Sequence, residues 1–225
     1  MGEASQADVE LRVLYDGEAL KGFREGFGFS CWVEGKNVLF DVGGDLATLM
    51  FNVQRAAVDL KDVKRIVLSH EHGDHVGGIQ IIDRCGEVEV FALRSFSRSF
   101  KRWLASHPNV RLHEVDEAEE ICRDVYTTGE LGGSVKEQSL IVRTPNGLTV
   151  VTGCAHPGLE NILRLASSFG EIHAVVGGFH GFSGLEALLG IRLIVPCHCT
   201  ARKEEILRLY PQRAIRGRAG LKIPV

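Results

Sequence analysis

Apolar positions open the chain in three short runs. Residues 9–15, 29–34 and 37–42 each read as strands, and Gly35-Lys36 joins the last pair like a hairpin. A helical period takes over across 45–58, where Leu46, Leu49, Met50 and Val53 share one face. Residues 65–69 and 87–93 are short apolar strands. The stretch 95–106 is predicted helical, with Phe96, Phe100, Trp103 and Leu104 as its apolar stripe. Strands are expected at 110–115, 124–128, 139–144 and 148–152, the last two separated by the turn Pro145-Asn146-Gly147. The final third alternates: helix 159–169, strand 172–176, helix 185–189, strand 192–195, helix 202–210. Many strands with interleaved helices are buried most economically as two sheets packed face to face, with helices outside each.

Composition narrows the class. The 225 residues carry 44% hydrophobic and 24% charged positions, enough for one sizeable core. No linker or shift of composition interrupts them, so a single domain over 1–225 is expected. Net charge is −3 with Lys and Arg dispersed, and no nucleic-acid partner is expected. No apolar run approaches the roughly 18 residues that span a bilayer, and the polar, acidic opening decade is unlike a secretory signal. No membrane association is expected. Cys31, Cys85, Cys122, Cys154, Cys197 and Cys199 are scattered and read as reduced thiols of a cytoplasmic protein.

Chemistry gathers at strand ends. Four apolar strands each run into histidine: Ile66-Val67-Leu68-Ser69-His70, Val150 through His156, Val175 through His180, and Ile194-Val195-Pro196-Cys197-His198. Six of the nine histidines (70, 72, 75, 156, 180 and 198) lie at these four places. Such loops are where a rigid sheet presents functional groups.

The densest cluster is His70-Glu71-His72-Gly73-Asp74-His75, three imidazoles and a carboxylate in six residues. Both groups are good ligands for zinc, iron or manganese. Alternate residues of an extended turn point the same way, so His70 and His72 can share one ion while Asp74 and His75 face a neighbouring one. Gly73 permits an unusual turn, and Gly77-Gly78 permit close packing as a helix begins. Six residues cannot complete two coordination spheres, and His156 and His198 are the natural completing ligands. Structural zinc sites favour cysteine-rich shells, whereas this shell leaves room for water.

Ser69 through Gly78, reading SHEHGDHVGG, resembles the His-x-His-x-Asp-His signature of the metallo-β-lactamase superfamily, and Leu39-Phe40-Asp41-Val42-Gly43 resembles its apolar-Asp-Thr-Gly segment. The segments 26–30 (GFGFS), 152–158 (TGCAHPG), 177–180 (GGFH) and 196–200 (PCHCT) look like the branch of dihydropterin-aminobenzene-phosphate synthases. The likeness covers nearly the whole chain. It implies an α/β fold, a four-layer αββα sandwich of two mixed sheets with helices on both outer faces. It also implies two divalent metal ions, with zinc expected and iron or manganese as alternatives. His70, His72 and His156 would hold one ion and Asp74, His75 and His198 the other, with Asp41 orienting a ligand from behind.

The pattern departs from the superfamily at two positions. Cys154 follows Thr152-Gly153 where many members carry a bridging Asp; it is either a soft ligand or a packing residue, and packing is preferred. Glu130 lies near the place of a metal-binding His in relatives, and reads as a ligand, a substrate contact or surface charge. His180 reads as a substrate contact, general acid or extra ligand, or as a satisfied core histidine. Cys197 and Cys199 alternate with His198, so on a strand both would point away from it. Arg94, Arg98 and Arg102 recur every four residues, spaced to grip a phosphate or to form a solvated basic face, the second being preferred. The expected activity is hydrolysis of an ester, lactone, amide or phosphate bond in a small, phosphorylated or pterin-like molecule, with Asp74 and His180 as catalytic groups. A di-iron redox enzyme of the same fold and a non-catalytic metal-binding protein are the alternatives. His72 stands where the redox relatives carry Glu, and no flavin module follows, which favours hydrolysis.

Overall fold

The computed structural model describes residues 9–225. Most of the acidic opening decade, residues 1–8, therefore lies outside the described residues.

Among the described residues, thirteen strands form two sheets. The first sheet contains β1 (Glu10–Tyr15), β2 (Ser30–Glu34), β3 (Val38–Phe40), β4 (Arg65–Val67), β5 (Val88–Leu93), β6 (Val110–Val115) and β13 (Lys222–Pro224), in the order β13-β1-β2-β3-β4-β5-β6. Its β3 to β6 half is parallel and its β13 to β3 half antiparallel. The second sheet contains β7 (Glu119–Cys122), β8 (Val125–Thr127), β9 (Leu140–Thr144), β10 (Gly147–Thr152), β11 (Ile172–Gly178) and β12 (Leu193–Cys197), in the order β12-β11-β10-β9-β8-β7. Here β10, β11 and β12 are parallel and the rest antiparallel. Both sheets are mixed, as expected.

Alternation along the strands of the second sheet builds two cores. Leu140, Val142, Val151, Val176 and Val195 point one way and join the large apolar cluster shared with the first sheet. Their neighbours Ile141, Val150, Val175 and Ile194 point the other way and pack on α4 (Leu159–Ala166) and α5 (Lys203–Leu209) through Leu159, Ile162, Leu163 and Ile206. A sheet buried on both faces reads as an unbroken apolar run, which is why these strands stand out in the sequence. On the first sheet, α1 (Leu46–Arg55) contributes Leu49 and Val53 and α3 (Arg98–Ala105) contributes Leu104. The result is the four-layer αββα sandwich.

Local chemistry explains where elements begin. The Asp45 side chain accepts from the Thr48 N–H at 2.7 Å and starts α1. Ser97 caps α3 in the same way, through Phe100 N–H, so that helix begins at Arg98 and not at 95. Arg94 consequently sits in the preceding turn, paired with Asp116 at 2.6 Å, and only Arg98 and Arg102 share the helix. The stretch 185–189 forms a short 3-10 turn, Leu185–Leu188, not an α-helix. The sequence pattern predicts neither β7 nor β13. The first, Glu-Glu-Ile-Cys, lacks alternation, and the second ends on Pro224 at the sheet edge, where a missing N–H is tolerated.

Candidate metal centre

The C-terminal ends of β1, β3, β4, β10, β11 and β12 converge on one end of the sandwich and deliver Asp16, Asp41, His70, His156, His180 and His198. The loop after β4 runs into α2 (Gly73–Val76), which adds Asp74 and His75. Side chains leave the strands through left-handed turns. Asp41, Ala155, His180 and His198 all have positive φ, between 41° and 58°. These conformations are uncommon for residues other than Gly, and here they break strand alternation at the point where each loop must turn inward.

Two sets of donors face one space. Asp74, His75, Cys154 and His198 place one ligand atom each within 4.8 Å of one another, and so do His70, Cys154 and His156. His198 Nε2 lies 2.9 Å from Asp74 Oδ2, and His75 Nε2 lies 3.5 Å from the same oxygen. His72 is exposed at the rim, its Nδ1 3.1 Å from His70 Nε2 and its ring 5.1 Å from that of His156. Of the six residues expected at the metal site, His70, Asp74, His75, His156 and His198 fall in these donor sets, and His72 lies beside them at the rim and belongs to neither. His180 is exposed beside them, its ring 5.0 Å from that of His156.

Behind the donors stands a chain of oriented hydrogen bonds. Asp41 Oδ1 accepts from Ser69 N–H and Asp41 Oδ2 from the Ser69 hydroxyl, both at 2.7 Å. With its own proton committed, Ser69 Oγ receives the Nδ1 proton of His70 at 2.9 Å, which leaves His70 Nε2 free as a donor atom. Asp41 Oδ2 also lies 2.7 Å from His75 Nδ1, again freeing Nε2. One buried carboxylate therefore sets the tautomer of a histidine in each donor set, the arrangement expected behind metal-bound imidazole. Gly153 makes room for it: a Cβ there would fall 2.3 Å from Ser69 Oγ and 3.2 Å from Asp41 Oδ2. Gly77 is needed for a like reason, since its Cβ would meet Gly44 O at 2.1 Å.

The electrostatics suit cations. Burial, reinforced by the neighbouring imidazoles His75, His72 and His156, drives His70 down to about 2. Burial with His180 and His72 nearby takes His156 to about 4, and burial with His75 nearby takes His198 to about 4. All three are neutral at ordinary pH, the form that binds metal. His75 goes the other way: burial opposes its charge, but Asp41 and Asp74 win and raise it to about 10. A proton on His75 holds the place of a cation between two carboxylates. Asp74, despite its burial, is held well below the usual carboxylate range by His75 and His198. Two imidazole nitrogens, His156 Nε2 and His198 Nδ1, are buried without a hydrogen-bond partner among the described residues. The His156 orphan, in a set of neutral imidazoles and a carboxylate, fits a divalent ion, whereas the His198 orphan is the ring nitrogen opposite the one that meets Asp74.

Several contributors were not singled out in the sequence. Glu137, fully buried, accepts from the backbone N–H groups of Gly153, Cys154, Ala155 and His156 at 2.9–3.0 Å and clamps the loop that carries His156. Burial raises its carboxyl while those N–H donors pull the other way. Asp16 accepts from His198 N–H at 2.8 Å. It could have been found as a second apolar strand ending in Asp, like Asp41. Phe27 lies in the loop between β1 and β2. It is 73% exposed, with its ring 4.8 Å from that of His198.

The cysteines, Glu130 and the remaining histidines of the fold find their places. Cys199 does not point away: the left-handed turn at His198 ends the strand alternation, and Cys199 Sγ lies 3.2 Å from Cys154 Sγ. Cys197, still on β12, packs in the core as expected. Glu130 lies outside both donor sets and accepts from Ser95 N–H at 3.0 Å. Cys154 is buried as expected, yet it also belongs to both donor sets. His107 and His113 are satisfied by Trp103 O and Glu89.

Clefts flank the centre on two sides. One, of about 290 Å³, is lined by His156, Gly158, Phe179, His180 and Phe182. The other, of about 190 Å³, is lined by Glu71, His72, Ser95, Phe96 and Lys136.

Comparison with known proteins agrees with this geometry. The chain is 28% identical over 227 residues to 7,8-dihydropterin-6-methyl-4-(β-D-ribofuranosyl)-aminobenzene-5′-phosphate synthase of Methanocaldococcus jannaschii, covering 76% of this chain and 77% of that protein. The crystal structure of Tm1679, a metal-dependent hydrolase of the β-lactamase superfamily, superposes with a TM-score of 0.78 at 28% identity, covering 96% of this chain and 99% of that one. A diphosphatase of the PhnP family shares the fold with a TM-score of 0.64 at 16% identity, over 96% of this chain and 97% of that one. The profile of the metallo-β-lactamase superfamily itself matches residues 25–164. With that match across most of the chain, on the fold and around the histidine cluster described above, the protein belongs to the metallo-β-lactamase superfamily.

Proposed function

We propose that the protein is a metal-dependent hydrolase acting on an ester, lactone, amide or phosphate bond of a small molecule. The observation that carries this reading is the convergence of His70, His156 and His198, all neutral, with Asp74 and His75, at the edge of an open cleft. His70, His72 and His156 would hold one divalent ion and Asp74, His75 and His198 a second, with zinc the expected metal and iron or manganese the alternatives. Such ions lower the pKa of a water nucleophile and polarise the scissile group. The protein does the rest. Asp74 orients the attacking water or relays its proton. His180, exposed at the cleft, protonates the leaving group. Phe27 and Phe182 offer apolar surface to the substrate, and Lys136 offers a cation.

Family likeness and the name of the 28% identical relative favour a phosphorylated or pterin-like substrate. That relative is a synthase, which favours a second reading: the activated group passes to an organic acceptor in place of water. The proposed partner is a small-molecule substrate, with neither nucleic acid nor a membrane expected. No helix among the described residues is long and apolar enough to cross a membrane. Six free thiols fit the cytoplasmic expectation.

Elemental analysis of the purified protein, followed by a panel of chromogenic esters, lactones and phosphate esters with the matching metal, tests the reading. His70→Ala and Asp74→Asn should each lower turnover by at least about 100-fold. Full metal content and full turnover in both variants would overturn it. Product analysis with an organic acceptor present separates transfer from hydrolysis.

A further inference from the structure

We infer that Cys154 and Cys199 are a redox pair, which closes on oxidation into a reversible disulfide and shuts the centre to metal. The effect on metal rests on the two-ion reading above; the bond itself does not.

Proximity across the sheet is the first argument. Strands β10 and β12 are separated by β11, so their ends stand about 9.5 Å apart, twice the strand spacing. The two sulfurs nevertheless lie 3.2 Å from each other. Two features bring them there. The left-handed turn at His198 swings Cys199 off the line of β12. Gly178, which ends β11, carries no side chain: a Cβ there would fall 2.8 Å from Cys199 Sγ and 3.3 Å from Cys154 Cα. The turns after β10 and β12 therefore meet over a gap kept open at the end of β11.

Selectivity is the second argument. The other four thiols each turn to a backbone carbonyl, Cys31 to Trp32, Cys85 to Ile81, Cys122 to Lys36 and Cys197 to Val195, at 3.4–4.0 Å. Cys199 turns to another sulfur. Access is the third. Cys154 is buried and Cys199 half-buried, so a small hydroperoxide reaches Cys199 first. Hydrogen peroxide is the two-electron oxidant. Its O–O bond breaks as the Cys199 sulfur takes one oxygen to become a sulfenic acid, and the other oxygen leaves as water. The Cys154 sulfur then attacks that sulfur, the S–O bond breaks, and hydroxide leaves with the Cys154 proton as a second water. A dithiol reverses both steps.

Bonded sulfurs stand about 2.0 Å apart. Closure thus draws the turns that carry His156 and His198 together and pulls Cys154 Sγ away from His75 Nε2, 3.2 Å from it in the reduced protein. His70, Asp74 and His75 stay with the first sheet, so ligand atoms from the two sheets lose their mutual spacing.

The test begins without metal or substrate. Chelator-treated protein is exposed to an equimolar amount of hydrogen peroxide, its thiols are counted after unfolding, and its tryptic peptides are mapped without reductant. Two of the six thiols should disappear. Peptide 144–164 should be joined to peptide 193–202, with fragmentation placing the link at Cys199 and not at Cys197. Dithiothreitol should restore all six thiols. Cys199→Ser should form no link, and Cys85→Ser should form it as the parent does. The oxidised protein should then bind zinc about 10–100-fold more weakly than the reduced protein. Six surviving thiols, a link through another cysteine or a link between two chains would overturn the pairing. Zinc affinity unaltered by the link would overturn the closure. Failure of the reduced protein to bind zinc would instead remove the metal reading, and the thiol count and peptide map still decide the pair.

Discussion

Asp41 and Glu137 divide the support of the centre between them. The first reaches side chains, setting His70 through Ser69 and His75 directly; the second reaches only backbone, fixing the loop of His156. Between them they hold donors in charge states of opposite sense, and this gives the metal-free protein a two-sided dependence on pH. His70, His156 and His198 are depressed below the ordinary histidine value, so the unfolded chain binds their protons more readily. Their contribution to stability is full above pH of about 6.5 and falls as the solution is acidified below it, with His70 alone contributing a slope of about 1.4 kcal/mol per pH unit. His75 is raised to about 10, so its contribution is full below about 6.5 and is lost as pH rises towards 10. Urea unfolding of chelator-treated protein across pH 5–9 should show maximal stability near neutrality (about pH 6.5). Restoring metal should flatten the alkaline limb, because a cation replaces the His75 proton. A stability that rises steadily to pH 9 without metal would contradict this account.

At the scale of elements, the strand ends carry the design. The strands of the second sheet that feed the site read as apolar runs ending in histidine, because they are buried on both faces. The His70–His75 loop, which follows a strand of the first sheet, is legible from its own density of imidazole and carboxylate. What sequence could not show was the backbone reversal at Asp41, Ala155, His180 and His198, since alternation predicts a straight strand and φ is not written in residue type there. Cys199 was misplaced by that alone. Glu137 escaped because a carboxylate beside Gln138 and Ser139 reads as surface, and only the fold reveals four N–H groups pointing at it. Gly153, by contrast, has a legible cost. Gly153→Ala drives a methyl into Ser69 and Asp41, and should lower stability by about 1–3 kcal/mol, read from the urea midpoint at constant slope.

The whole molecule is held at this end by residues from two sheets. His70, His72, Asp74 and His75 follow a strand of the first sheet, and His156 and His198 follow strands of the second. Ions bound there, as proposed, would act as a staple across the sandwich. With free metal about 1,000-fold above its dissociation constant, binding adds about 4 kcal/mol to stability. Chelation should therefore lower the melting temperature by about 10 °C in a chain of this size. An unchanged melting temperature would mean that the ions join nothing. The same polarity leaves the other end idle. Turns such as Gly35-Lys36, Pro145-Asn146 and the Gly190 bend precede strands and stand a strand's length from the chemistry. That end is where the chain can be cut, tagged or lengthened, and where a surface anchor or fluorophore would sit without shading the cleft.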